Sequence, residues 1–200
     1  MLIGTQMIAK GLDFPNVTMV GVMAADMMLN LPDYRSCERA FQLITQVAGR
    51  AGRAEKPGRA IVQTYDPDHY GIQFAAAQDY RAFYRKESAF RRSALYPPFT
   101  QIARVIYSGR DEKQVCAAAQ ADEAKLNAWL EERGFKPDVV QLKAVEAPIS
   151  LLRGEHRWQL LLKMYFQGDV DAACARMQAL TAEAPAGVRA ELEVNPVNMF

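Results

Sequence analysis

The sequence predicts an α/β fold in two parts: a partial lobe built on a parallel sheet, then a small α+β unit of order βαββαβ. Three observations lead there. Val17 to Ala24 is a nearly continuous apolar run, which suits a strand buried on both faces of a parallel sheet. From Cys37 onward, Ala40, Phe41, Ile44, Val47, Ala48 and Ala51 recur at helical spacing. Near the end, Val188, Ala190, Leu192 and Val194 alternate with Arg189, Glu191 and Glu193, the pattern of a strand with one face on a core.

Taken in order, the opening Leu2-Ile3-Gly4-Thr5 is too short to begin a domain and reads as the edge of something larger. The apolar strand follows, with the carboxylate of Asp26 at its end. After the amphipathic helix, Gly58 precedes another strand, Arg59 to Tyr65, so residues 1–67 read as loop, strand, helix, strand. Residues 68–98 form a helical, basic and aromatic connector. Tyr96-Pro97-Pro98-Phe99 ends it, because paired prolines cannot continue a helix.

Residues 99–200 then read as strand (Gln101 to Tyr107), helix (Glu112 to Arg133) and strand (Val139 to Val145). A further strand (Arg157 to Tyr165), a helix capped by Asp169 and the final alternating strand complete them. On the long helix Val115, Ala118, Ala119, Leu126, Trp129 and Leu130 face inward. This is the split βαβ arrangement of ferredoxin-like small domains.

Composition narrows the class. With 200 residues, 50% hydrophobic and 24% charged, the chain has room for one good core or two small ones and the balance of an ordinary globular protein. No apolar stretch approaches the ~20 residues that span a bilayer, and no secretory signal is evident. Cys37, Cys116 and Cys174 lie far apart without zinc-site spacing, and read as reduced thiols of a cytoplasmic protein. The net charge of +1 hides an uneven distribution: Arg35 to Arg59 holds six basic residues against two acids, and Arg81 to Arg92 five against one. Such excess suits phosphate contacts, and equally a solvated helix face.

The octet Gln46-Val47-Ala48-Gly49-Arg50-Ala51-Gly52-Arg53 carries the chemistry. At i, i+4 and i+7, Gln46, Arg50 and Arg53 project from one side of a helix while two glycines clear space beside them. Each helix-interior glycine costs ~1 kcal/mol against alanine, so keeping both points to a close approach by a ligand. An arginine fork stays charged, donates bidentately to a polyphosphate and stabilises charge on a transferring phosphoryl group. The second motif, Gly4-Thr5-Gln6-Met7-Ile8-Ala9-Lys10-Gly11-Leu12-Asp13-Phe14-Pro15, leads straight into the first strand. Its backbone donors and the Thr5 hydroxyl suit a nucleic-acid phosphate, and Lys10 and Gly11 suit a turn approaching a nucleotide.

In this order the two segments match the last two motifs of superfamily 2 helicases. The wording GTQMIAKGLDFPNVT and QVAGRAGR, the YPPF junction and the segment Arg153-Gly154-Glu155-His156-Arg157-Trp158-Gln159 together resemble the primosomal replication-restart helicases, across essentially the whole chain. The resemblance implies the C-terminal part of a second RecA-like helicase lobe over 1–67, followed after the connector by a C-terminal α+β domain. It implies an ATP-dependent 3′ to 5′ DNA helicase that recognises abandoned forks and initiates primosome assembly. Catalytic roles fall on Arg50 and Arg53, nucleotide-binding roles on Gln46, Gly11 and Asp13, and DNA contacts on Thr5, Gln6 and Lys10.

ATP and Mg2+ are the implied cofactors. The chain has no G-x-x-x-x-G-K-[ST] loop and no acidic box for the metal, so alone it is expected to lack ATPase activity. Structural Zn2+ is expected only in a cysteine-rich module upstream of Met1. Implied partners are branched fork DNA, single-stranded DNA, the tail of single-stranded DNA-binding protein and other primosome proteins. Leu12 and Ala24 depart from the family's usual wording and take no role, and Asp26 takes only a weak one.

In the small unit, Arg153 and Arg157 beside His156 and Trp158 combine phosphate contact with base stacking. The alternative makes Trp158 and Leu160 core residues of a strand with Arg157 and Gln159 facing out. Two other readings of the whole chain remain open: a stand-alone nucleic-acid-binding adaptor, and another superfamily 2 DNA translocase.

Overall fold

The structure is a computed structural model, and it describes residues 4, 18–49, 51 and 58–199. The chain forms two compact units that divide between Phe90 and Arg91.

In the first unit β1 (Met19–Val22) pairs in parallel with β2 (Arg59–Val62), Met19 opposite Arg59 and Val22 opposite Val62. Between them run α1 (Asp26–Leu29) and α2 (Ser36–Ala48). Parallel neighbours need such a crossover, and α2 supplies it by burying Ala40, Phe41 and Ile44. Two more helices follow, α3 (Tyr70–Ala76) and α4 (Tyr80–Ser93). Phe83 of α4 stacks on Phe41 of α2 with centroids 4.0 Å apart, and Ile72 and Ala75 of α3 join the same cluster. Polar groups close the edges of this core. The Tyr70 hydroxyl donates to Glu87 at 2.7 Å, and Asp33 accepts from the Arg35 amide and the Arg39 guanidinium.

Two expectations need correcting here. The apolar run forms a strand of only four residues, alternately exposed and half-buried, with Met19 65% exposed. It is not buried on both faces, because its sheet has two strands among the described residues and α2 packs against it. The amphipathic helix also stops early. It closes at Ala48 with Gly49 as C-cap, the Gly49 amide bonding to the Thr45 carbonyl at 3.0 Å. Gln46 therefore rides the last turn, and Ala51, expected on the same helix, lies in a turn beyond it.

The second unit has the expected order: β3 (Gln101–Gly109), α5 (Glu112–Glu132), β4 (Val139–Leu152), β5 (Glu155–Met164), α6 (Val170–Ala182) and β6 (Val188–Val194). Its sheet is antiparallel with strand order β4-β5-β3-β6, which places the two βαβ crossovers around inner strands β3 and β5. Odd residues of β3 (Ala103, Val105, Tyr107) and even residues of β5 (Leu160, Leu162, Met164) meet Val115, Ala119, Leu126 and Leu130 of α5 and Met177 and Leu180 of α6 in one core.

Asp111 and Asp169 cap the two helices, accepting from backbone amides two and three residues on. Inside the core the Tyr107 hydroxyl donates to Asp122 at 2.9 Å. The predicted β4 runs seven residues further than the alternation suggested, through an irregularity between Glu146 and Leu151, to reach a tight hairpin.

Candidate nucleic-acid interface

That hairpin sets up the candidate site. Leu152 pairs with Glu155, so Arg153 and Gly154 form a two-residue connection, and both have positive φ, 53° and 80°. This is the geometry of a type I′ turn, which favours Asn, Asp or Gly at both positions because the left-handed region costs other L-residues ~1–2 kcal/mol. An arginine at the first position runs against local preference. The exposed Arg153 thus stands at the tip of a hairpin that would fold more easily with another residue there.

From the tip, β5 carries Arg157 on the sheet face opposite the helices. Register places Ser108 of β3 directly across from Arg157 on one side and from Arg189 of β6 on the other. Cross-strand neighbours on one face interact, and the small serine leaves both long side chains room to lie over it. The result is a recess whose walls include Arg153, Arg157, Arg189, Glu155 and Glu191.

The three guanidiniums are not equivalent. Arg189 is held by Glu155 at 2.5 Å, by Ser108 at 3.2 Å and by Glu191 at 3.6 Å, so its charge is largely balanced. Arg157 donates only to the Ile149 carbonyl, at 3.4 Å, and neither it nor Arg153 forms an ion pair among the described residues. Deeper on the same face Arg104 is buried and paired with Glu193 at 2.7 Å. Lys163, also buried, lies over the Tyr96 ring at 4.1 Å, and burial pushes its ammonium below the usual lysine range. Arg153 and Arg157 are therefore the recess cations open to an added anion, and Arg189 is a fixed wall.

Of the residues expected to act, Arg153 and Arg157 are brought together here. Gln46 lies in the last turn of α2 in the first unit and is exposed. Thr5, Gln6, Lys10, Gly11, Asp13, Arg50 and Arg53 lie outside the described residues. Trp158 faces the helices and packs half-buried against the core, which separates it from the arginines. Gln159 lies on the outer face with Arg157, as expected, yet it is only 6% exposed, on an inner strand between Ile106 of β3 and Val145 of β4.

Sequence reading missed Ser108 and Arg189 as recess residues. The alternation of β6 already put Arg189 on the outer face, but which strand lies beside it depends on topology that no local pattern encodes. In the first unit Asp26 accepts from the Thr64 hydroxyl at 2.7 Å and from the Tyr65 amide, and these bonds, Thr64 foremost, hold its carboxyl below the ordinary range. It ties the start of α1 to the segment that follows β2. Among the described residues no group of three His, Cys, Asp or Glu could hold a metal ion, and no helix is long and apolar enough to cross a membrane.

Comparison with known proteins bears on both units. A family model described as the primosomal protein N C-terminal domain matches residues 92–197. The replication restart protein PriA of Bacillus subtilis is 46% identical over 164 residues, covering 81% of this chain and 20% of that protein. The PriA of Synechocystis is 38% identical over 201 residues, all of this chain and 23% of that protein. That of Treponema pallidum is 38% identical over 199 residues, all of this chain and 29% of that protein. The chain thus spans between about a fifth and under a third of the length of these relatives.

Proposed function

The chain belongs to the replication restart protein PriA family, and from that premise we propose that it serves replication restart as the C-terminal part of an ATP-dependent 3′ to 5′ DNA helicase. In this reading its second unit grips branched fork DNA, and its first contributes to an ATP site completed by another part of the whole protein. The observation that carries the DNA half is the pair Arg153 and Arg157, cations without an ion pair among the described residues, in a recess whose third arginine is held by Glu155. Guanidinium forks suit phosphate oxygens, and contacts of this kind fix register on DNA without reading its sequence.

The ATP half rests on the octet. Arg50 and Arg53 stabilise charge on the transferring phosphoryl group, Gln46, Gly11 and Asp13 contact the nucleotide, and Thr5, Gln6 and Lys10 contact DNA. Gln46 suits its part as an exposed residue in the last turn of α2. ATP with Mg2+ supplies the phosphoryl-transfer chemistry, and the residues of this chain orient and screen it. The 200-residue chain alone turns over no ATP in this account. Fork DNA, single-stranded DNA, single-stranded DNA-binding protein and further primosome proteins are the proposed partners, and the proposed compartment is the cytoplasm.

Fork affinity measured against salt tests the DNA half. Each phosphate contact adds ~0.9 to the slope of log K against log salt on duplex DNA, so Arg153→Glu with Arg157→Glu should flatten it by ~1.8. An unchanged slope removes both residues from the interface.

A further inference from the structure

The first unit carries a second surface suited to nucleic acid, and the reading above does not use it. Helix α4 buries Phe83 and Glu87, one turn apart, and the flank beside them is exposed, although the Tyr80 ring also lies 6.3 Å from that of core Phe41. There Tyr80 and Tyr84 are 64% and 59% exposed, also one turn apart, with ring centroids 6.3 Å from each other and planes tilted by 33°. Arg81 and Arg85 follow them around the helix, again one turn apart, and Lys86 lies beyond; all three are exposed.

A helix face that merely solvates its protein mixes acids with bases and seldom displays two tyrosines. On α4 the sole acid is Glu87, which is buried and bonded to Tyr70. Among the described residues none of Arg81, Arg85 and Lys86 forms an ion pair, and the ring neighbour of Tyr84 is Tyr80. What remains is a row of two flat aromatic groups beside a row of two unpaired guanidiniums, each advancing ~6 Å per step along the helix. That spacing is of the order of the distance between neighbouring phosphates on an extended strand. Aromatic rings beside a cationic track are the combination that holds single-stranded nucleic acid, bases on the rings and phosphates on the cations.

We propose that the outer face of α4, Tyr80 and Tyr84 flanked by Arg81 and Arg85, is a binding site for single-stranded DNA. It deepens the proposed function and rests on it, adding to the recess of the second unit a separate contact for an unpaired strand. The stacking component is indifferent to base identity, and the guanidinium component is sensitive to salt.

The experiment is fluorescence anisotropy of the 200-residue chain with labelled oligothymidylate, and with an abasic oligonucleotide of equal length. Tyr84→Ala should weaken binding to oligothymidylate by ~5- to 150-fold and leave the abasic strand unaffected, while Tyr84→Phe, which keeps the ring, should bind as the parent does. Arg81→Ala with Arg85→Ala should lower the salt slope by ~1.4 on both strands. Thermal melts matching the parent establish that each variant is folded, and the phenylalanine and arginine variants decide the matter if Tyr84→Ala melts early. Equal loss on both strands for Tyr84→Ala, or an unchanged slope for the arginine pair, overturns the site. If the Arg153 and Arg157 variant alone loses DNA, the α4 site falls and the proposed function survives. If the parent binds neither oligonucleotide nor fork, both fall.

Discussion

The two units are built to different standards of closure. In the second, sixteen buried residues from four strands and two helices form one cluster, and every strand but the edges has a partner on each side. In the first, the described residues contribute a core cluster of six buried side chains and a two-stranded sheet whose strands stay partly open, with Met19 and Ile61 more than half exposed. Burial of apolar area is the main source of stability at ~25 cal/mol per Å2, so the second unit has the larger reserve and the first depends more on each contact it makes. The octet attributed to nucleotide chemistry belongs to the more open unit, and the recess attributed to DNA belongs to the closed one. Regions that must respond to a ligand are drawn from the less stable end of a structure.

The sharpest way to break this contrast is to hollow each core. Leu160→Ala empties a fully buried position and should cost ~2–5 kcal/mol, lowering the urea midpoint seen by tryptophan fluorescence. Trp129 and Trp158 both pack against that core, so the signal reports the second unit. Ile44→Ala in the first unit should fall at the low end of that range, because an open core relaxes around a cavity more easily. Peptide-resolved hydrogen exchange over α2 reads it out. Equal costs at the two positions would remove the contrast.

Each unit also hides one tyrosine against a carboxylate, which allows a matched test. Burial, then Asp122, raises the Tyr107 phenol above its ordinary value of 10.0, and burial, then Cys37 and Glu87, raises Tyr70 likewise. In the unfolded chain these phenols ionise near the ordinary value, so above it the unfolded state binds fewer protons and stability falls as pH rises. Below that value the contribution is fully present. Tyr107→Phe should cost ~0.5–1.5 kcal/mol at neutral pH, since Asp122 keeps its bond to Lys125, and should flatten the alkaline loss. Tyr70→Phe should do the same in the first unit. An alkaline limb that survives both substitutions contradicts the assignment.

The smallest expected effect is at Asp26. Its carboxyl is held below the ordinary 3.8, chiefly by Thr64, so its contribution is present above that value and disappears as pH falls through its own lower one. Asp26→Asn should blunt acid sensitivity in the first unit alone. A pH titration followed by hydrogen exchange over β2 checks this.

Legibility in the sequence follows the same division. The second unit was readable nearly throughout: the alternation of β6, the Asp169 cap and the inward face of α5 each rest on a local period or a local hydrogen bond. Asp122, within that inward face, was not, since a buried acid makes sense only once Tyr107 lies opposite. Gln159 and Arg189 depended on which strands are neighbours, a fact set by topology. In the first unit the octet was legible as wording, but its helical spacing was overextended. Gly49, inside the periodic run that continues to Ala51, is a helix stop signal, and the helix ends there. Lateral burial of the apolar run failed for a related reason, since periodicity reports apolar character and not whether a second layer is there to cover it.

The central claim is a division of labour: nucleotide chemistry with the octet of the first unit, fork binding with the recess of the second. It is tested most directly by ATP turnover of the whole protein containing this chain, measured against fork DNA concentration. Arg50→Ala with Arg53→Ala should lower the maximal rate by ~10^3-fold or more without moving the fork concentration that gives half-stimulation. Arg153→Glu with Arg157→Glu should raise that concentration and leave the maximal rate in place. If the octet variant moves the fork concentration while the recess variant lowers the maximal rate, the assignment of the two units is reversed and the account is wrong.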